Sequence, residues 1–148
     1  MSELRFGYIK EKKMLAPKKQ KYRRTFRGKN RGLATRGSEI NFGQFGLKAL
    51  TPGLISAAQI EAARKAIAHY TKREGQVWIR IFPDHPVTAK AAGRMGSGKG
   101  DVKFYAAKVV PGKILFELGG IGREIAQAAL TRAASKLSVK TTFVAKEA

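Results

Sequence analysis

Between residues 38 and 144 the spacing of apolar positions changes several times, and each change marks an element. Ile40 and Phe42, then Phe45, Leu47 and Ala49, alternate with polar or small neighbours. The phase slips at Gly43, which predicts a strand carrying a bulge. Pro52-Gly53 is a turn signal. After it the period lengthens to that of a helix. Ile60, Ala63, Ile67 and Tyr70 fall on one face, and Glu61, Arg64, Lys65 and Lys72 fall outward. Ser56 and Gln59 have the spacing of a capping box, so the helix should start there, run to about Arg73 and end at Gly75.

Val77 to Phe82 is a short β-prone run. Val77, Ile79 and Ile81 face one side, Trp78, Arg80 and Phe82 the other, and Pro83 and Pro86 close it. Residues 89–100 carry Gly93, Gly96, Gly98 and Gly100 and read as a mobile loop. Val102 to Val110 and Ile114 to Leu118 read as two strands joined in a hairpin at Pro111-Gly112. A second helix is expected from Arg123 to Leu137, with Ile125, Ala129, Ala133 and Leu137 as its stripe, before a last strand from Thr141 to Val144. Mixed strands with two helices predict an α+β fold, the helices packed on one face of a mostly antiparallel sheet.

Residues 1–37 follow no such period, and charge accounts for them. The chain of 148 residues carries 30 Lys and Arg against 10 Asp and Glu, a formal charge of +20. From Lys10 to Arg36 there are twelve basic residues and only Glu11 to oppose them, so this stretch alone holds +11. Gly28, Gly32 and Gly37 interrupt it and no apolar face runs along it. It therefore reads as a basic arm (1–37) ahead of a single domain (38–148), extended when alone and ordered on a polyanion. Nucleic acid suits that charge, because each phosphate neutralised releases condensed counterions. A membrane surface would need an amphipathic basic helix that the pattern lacks. No apolar run approaches the roughly 20 residues of a membrane span, and no signal-peptide core follows the N-terminus, so residence in the cytoplasm is the expectation.

Tyr22 and Phe26 are interleaved with the cations of the arm, an arrangement suited to stacking on unpaired bases. The rings could instead anchor the arm to its own domain. The candidate RNA contacts are Lys18, Lys19, Lys21, Tyr22, Arg23, Arg24, Phe26, Arg27, Lys29 and Arg31, together with Arg80, which is placed either to meet a phosphate or to pair with Glu117.

Enzymatic chemistry finds little support. Gly93-Arg94-Met95-Gly96-Ser97-Gly98-Lys99 fits seven positions of a nucleotide-binding P-loop, but Gly100 stands where a Mg²⁺-binding hydroxyl is needed and a β pattern follows instead of a helix. The same glycines can bring backbone close to phosphates, with Arg94 and Lys99 supplying charge. With no Cys, and His69 and His85 without ligand spacing, no metal site or cofactor is expected. The carboxylates are scattered, and no acid–base pair stands out.

Several segments resemble the family of bacterial ribosomal large-subunit protein sixteen. They are Met14 to Lys19 with the basic run to Gly32, Phe42 to Ala49, Gln59 to Arg64, Val77 to Asp84, Arg94-Met95-Gly96 with Gly98-Lys99-Gly100, Pro111 to Lys113, and Lys140 to Val144. The resemblance implies a β-hammerhead type of α+β domain and a structural place in the large subunit without catalysis. The partners it implies are large-subunit rRNA, neighbouring ribosomal proteins, and tRNA in the aminoacyl site, with the peptidyl site as an alternative. It makes Arg94, Met95, Gly96, Gly98 and Lys99 a tRNA-proximal loop and residues 1–13 an extension beyond the family pattern. On composition alone, a free-standing RNA chaperone or single-strand binder is the alternative.

Overall fold

The computed structural model describes residues 15–147. In chain order the elements are β1 (Phe45–Ala49), β2 (Gly53–Ser56), α1 (Ala57–Tyr70), β3 (Gln76–Ile79), β4 (His85–Ala89), β5 (Asp101–Val109), β6 (Ile114–Gly119), α2 (Arg123–Ala134) and β7 (Thr141–Ala145). The fold is α+β, as the periodicity predicts, but the strands divide into two sheets, ordered β3-β6-β1-β7 and β2-β5-β4. Every pairing is antiparallel. The helices pack on each other, α2 against β1 and β7, and α1 against β2, β3 and β5. Between these layers lies a core that includes Leu47, Ile60, Ile67, Leu115, Phe116, Leu118 and Leu130.

β6 is one of the two interior strands of the larger sheet, and all six of its residues are buried. That explains its nearly unbroken apolar run, since a strand covered on both faces has no polar side to alternate with. Helix α1 begins as expected: Ser56 Oγ accepts from the Gln59 amide and Gln59 Oε1 accepts from the Ser56 amide. It ends at Tyr70, three residues before Arg73. Thr71 donates its hydroxyl to Ile67 O, and Lys72 and Arg73 then take left-handed φ values of 52° and 66°. That pair swings the chain toward Gly75 and β3.

Other expectations need correcting. Ile40 and Phe42 are not in a strand. The amides of Asn41, Phe42 and Gly43 point instead at the carboxylate of Glu117, so this backbone wraps around a side chain and pairing starts at Phe45. The irregularity of β1 lies opposite β6 between Leu47 and Lys48, not at Gly43. Gly43 is needed for closeness, because a Cβ there would stand 2.7 Å from Leu118 O.

Pro111-Gly112 does not close a hairpin. β5 and β6 lie in different sheets, and the turn carries the chain from one to the other. Two hydrogen bonds tie it to β1, with the Gly112 amide donating to Ala49 O and the Ala49 amide to Lys113 O. Two short strands, β2 and β4, were not predicted. β4 contains Pro86, which an edge strand tolerates because one side of its backbone needs no partner. Helix α2 stops at Ala134 and buries Ala126, Ala129, Leu130 and Ala133, while Ile125 is 45% exposed. Ala129 and Ala133 of the expected stripe are thus buried, while Ala126 and Leu130 take the places expected of Ile125 and Leu137.

Candidate nucleic-acid interface

From Leu15 to Ser38 the chain holds nine Lys and Arg and no carboxylate. None of these residues enters a helix or strand. Side chains and backbone of the domain hold this segment mainly by its main chain. Lys99 Nζ donates to Thr25 O (2.5 Å), Lys108 Nζ to Arg27 O (2.8 Å) and Lys113 Nζ to Arg36 O (3.4 Å). Asn30 Nδ2 spans Gly53 O and Val109 O, and the Ala34 amide reaches Pro111 O. Gln20 Nε2 donates to Asp84 O. Because the tethers fall on carbonyls, the arm's own cations are left turned outward. Lys18, Lys19, Lys21, Arg23, Arg24, Arg27, Lys29 and Arg31 are all exposed. Among the described residues only Arg24 of this set has a carboxylate partner, Asp101 at 2.5 Å. That pair is itself exposed, so it fixes position more than it stabilises the fold.

The aromatic rings do not pack inward. Phe26 is 95% and Tyr22 68% exposed, and Lys21 Nζ lies 5.4 Å from the Tyr22 ring centroid. Two bare rings among cations can take bases that are not paired with other bases.

The glycine-rich segment joins β4 to β5 as the end of an antiparallel pair. No helix follows it, which removes the structural context a P-loop requires. Gly93, Gly96, Ser97 and Gly98 all have positive φ. Lys90 Nζ closes the loop on Gly96 O at 2.7 Å. Arg94, Met95 (96% exposed), Gly96, Gly98 and Lys99 project into solvent.

Arm and loop meet. Arg24 lines the groove of Lys21, Tyr22, Arg23 and Val102, and it also lines the cleft of Lys90, Arg94, Lys99 and Asp101. With the Lys99–Thr25 bond, these two regions, more than 70 residues apart in sequence, form one basic surface. His85 registers the local field. Burial holds its pKa below the ordinary value, with the cations of Lys108 and Lys99 adding to that and Asp84 opposing it.

Arg80 stands apart. Of its two possible roles the structure forms the ion pair with Glu117, and its guanidinium also lies 5.0 Å from the centroid of Phe42, which stacks on the half-buried Trp78. Sequence reasoning missed Lys90, Lys108, Lys113 and Asn30, the residues that hold arm and loop in place. Only their polarity could have flagged them, since their partners lie far along the chain. Residues 1–14, including Lys10, Lys12 and Lys13, lie outside the described residues. Among the described residues no group of His, Cys, Asp and Glu could hold a metal ion, and no helix is long and apolar enough to cross a membrane.

Comparison with known proteins identifies relatives of the whole chain. The profile of the ribosomal protein L16p/L10e family matches residues 17–144. Large ribosomal subunit protein uL16 of Rhizobium etli (strain CIAT 652) is 55% identical over 132 residues, covering 88% of this chain and 96% of its own. The proteins of the same name from Rhizobium rhizogenes and Allorhizobium ampelinum are similar to the same degree.

Proposed function

The chain belongs to the ribosomal protein L16p/L10e family, and on that premise we propose that it is a structural constituent of the large ribosomal subunit that binds large-subunit rRNA and helps to position tRNA. It acts in the ribosome, in the cytoplasm, among rRNA, tRNA and neighbouring ribosomal proteins, and it supports geometry without carrying out a reaction. The observation that supports this most is the continuity of arm and loop through Arg24 and Lys99. Residues 18–31 lie along RNA backbone, the exposed rings of Tyr22 and Phe26 stack on unpaired bases, and the arm ahead of residue 38 works as a grip on a folded scaffold. Arg94, Met95, Gly96, Gly98 and Lys99, which project from the scaffold, are the tRNA-proximal group near the aminoacyl site. Arg80 keeps its scaffold role beside Glu117, and the RNA contacts do not depend on it.

Sedimentation tests the proposal. After a high-salt wash the protein should migrate with large subunits through a density gradient. Recovery near the top of the gradient would instead mark a free-standing RNA binder.

A further inference from the structure

A second cationic feature lies on the helical layer and shares no residue with the arm and loop. The groove between α1 and α2 is lined by Ala62, Lys65, Ala66, His69, Arg132, Ser135 and Lys136. Lys65 and His69 stand one helical turn apart on α1. Arg132, on α2, and Lys136, just beyond its end, have the same spacing, so the Lys65 cation and the His69 imidazole face two further cations across the groove. Its floor includes Ala62 and Ala66, whose short side chains let a ligand come close. Among the described residues no carboxylate lines it. Glu61, nearest in sequence, is gripped through both oxygens by Arg64. Arg132 is held in place: its guanidinium lies 4.5 Å from the Tyr70 ring centroid, and its carbonyl accepts from Ser135 Oγ. Lys65, His69, Arg132 and Lys136 are all exposed. Nothing in the core needs this charge, and like charges brought together across a helix pair destabilise it unless an anion lies between them.

We propose that this groove is a second phosphate-binding face, taking the backbone of an RNA segment other than the one held by the arm and loop. The protein then bridges two stretches of RNA. This rests on the arm and loop being the first RNA surface, and the test separates the two claims.

The full-length protein is treated with an amine-reactive reagent, alone and with increasing amounts of an RNA duplex that carries a single-stranded overhang, and the modification rate of each lysine is read by mass spectrometry. Lys18, Lys19, Lys21 and Lys29 should be protected first. Lys65 and Lys136 should then be protected several-fold as a second equivalent of duplex binds. Replacing both by Gln (K65Q with K136Q) should lower the logarithmic salt slope of binding by about 1.5 while leaving the protection of the arm lysines unchanged. Unchanged rates at Lys65 and Lys136 alongside protected arm lysines overturn the groove alone. Failure to protect the arm lysines overturns the first surface. Protection of Lys65 and Lys136 only within intact subunits, never by the duplex, and with Lys65 cross-linking to a neighbouring protein, means that another protein covers the groove and overturns the inference.

Discussion

Arg80, the residue just past the end of β3, forms an ion pair with Glu117 on the neighbouring strand β6, and the carboxylate of that pair is fully buried. Glu117 also accepts from the amides of Asn41 (3.2 Å), Phe42 (2.6 Å) and Gly43 (2.8 Å). A buried carboxylate supplied with four donors is a fixed point, and it sets the path by which the arm enters β1. Removing one partner leaves an uncompensated charge in the interior. Arg80→Ala should therefore lower stability by about 3 kcal/mol, measured as a shift in the urea midpoint. A loss below about 1 kcal/mol would show the pair to be dispensable.

The same carboxylate makes stability depend on acid. Burial alone pushes the Glu117 carboxyl up, but the amides of Gly43, Asn41 and Phe42 and the Arg80 guanidinium outweigh it and hold the pKa below the ordinary glutamate value. With the folded pKa under the unfolded one of about 4.3, the stabilisation is fully present above that pH and is lost as pH falls through the folded pKa. Glu117→Gln should destabilise the protein at neutral pH, with the difference from the parent narrowing below about pH 4. Urea midpoints that stay parallel for the two proteins down to pH 3 would contradict this.

How much of this could be read from the sequence follows from how far apart the partners lie. The Ser56–Gln59 capping box was legible because both halves sit within one turn. β6 was legible because burial on both faces leaves a continuous apolar run. β2 and β4 were not, since each is four or five residues long, sits at or around a proline, and exists only by pairing with β5. Phe42 was misplaced into a strand because the acceptor for its amide is 75 residues away. For the interface, the cations and rings of the arm were plain from composition and spacing. Their junction with the loop depends on Arg24 meeting Asp101 across 77 residues, which no local pattern encodes.

The arm should be separable from the fold. Replacing Arg23, Arg24 and Arg27 by Ala should weaken rRNA binding and reduce the logarithmic salt slope by about 2 to 3. Among the described residues the only ion pair lost is the exposed one with Asp101, so unfolding should shift by less than about 1 kcal/mol. A large shift in the thermal midpoint would make the arm part of the core.

Stacking by the two bare rings predicts a preference for unpaired RNA. Tyr22→Ala and Phe26→Ala should each weaken single-strand binding by about 1 to 3 kcal/mol, with little dependence on sequence. Duplex binding should barely change. Equal losses on both substrates, measured by fluorescence anisotropy, would mean the rings act through packing or backbone contacts instead.

The arm and loop are held to act by neutralising phosphates, and the salt dependence of binding to large-subunit rRNA addresses that directly. With about eight basic side chains on phosphates, the logarithm of the association constant should fall against the logarithm of salt concentration with a slope of about −6 to −7. A slope near zero would contradict the account.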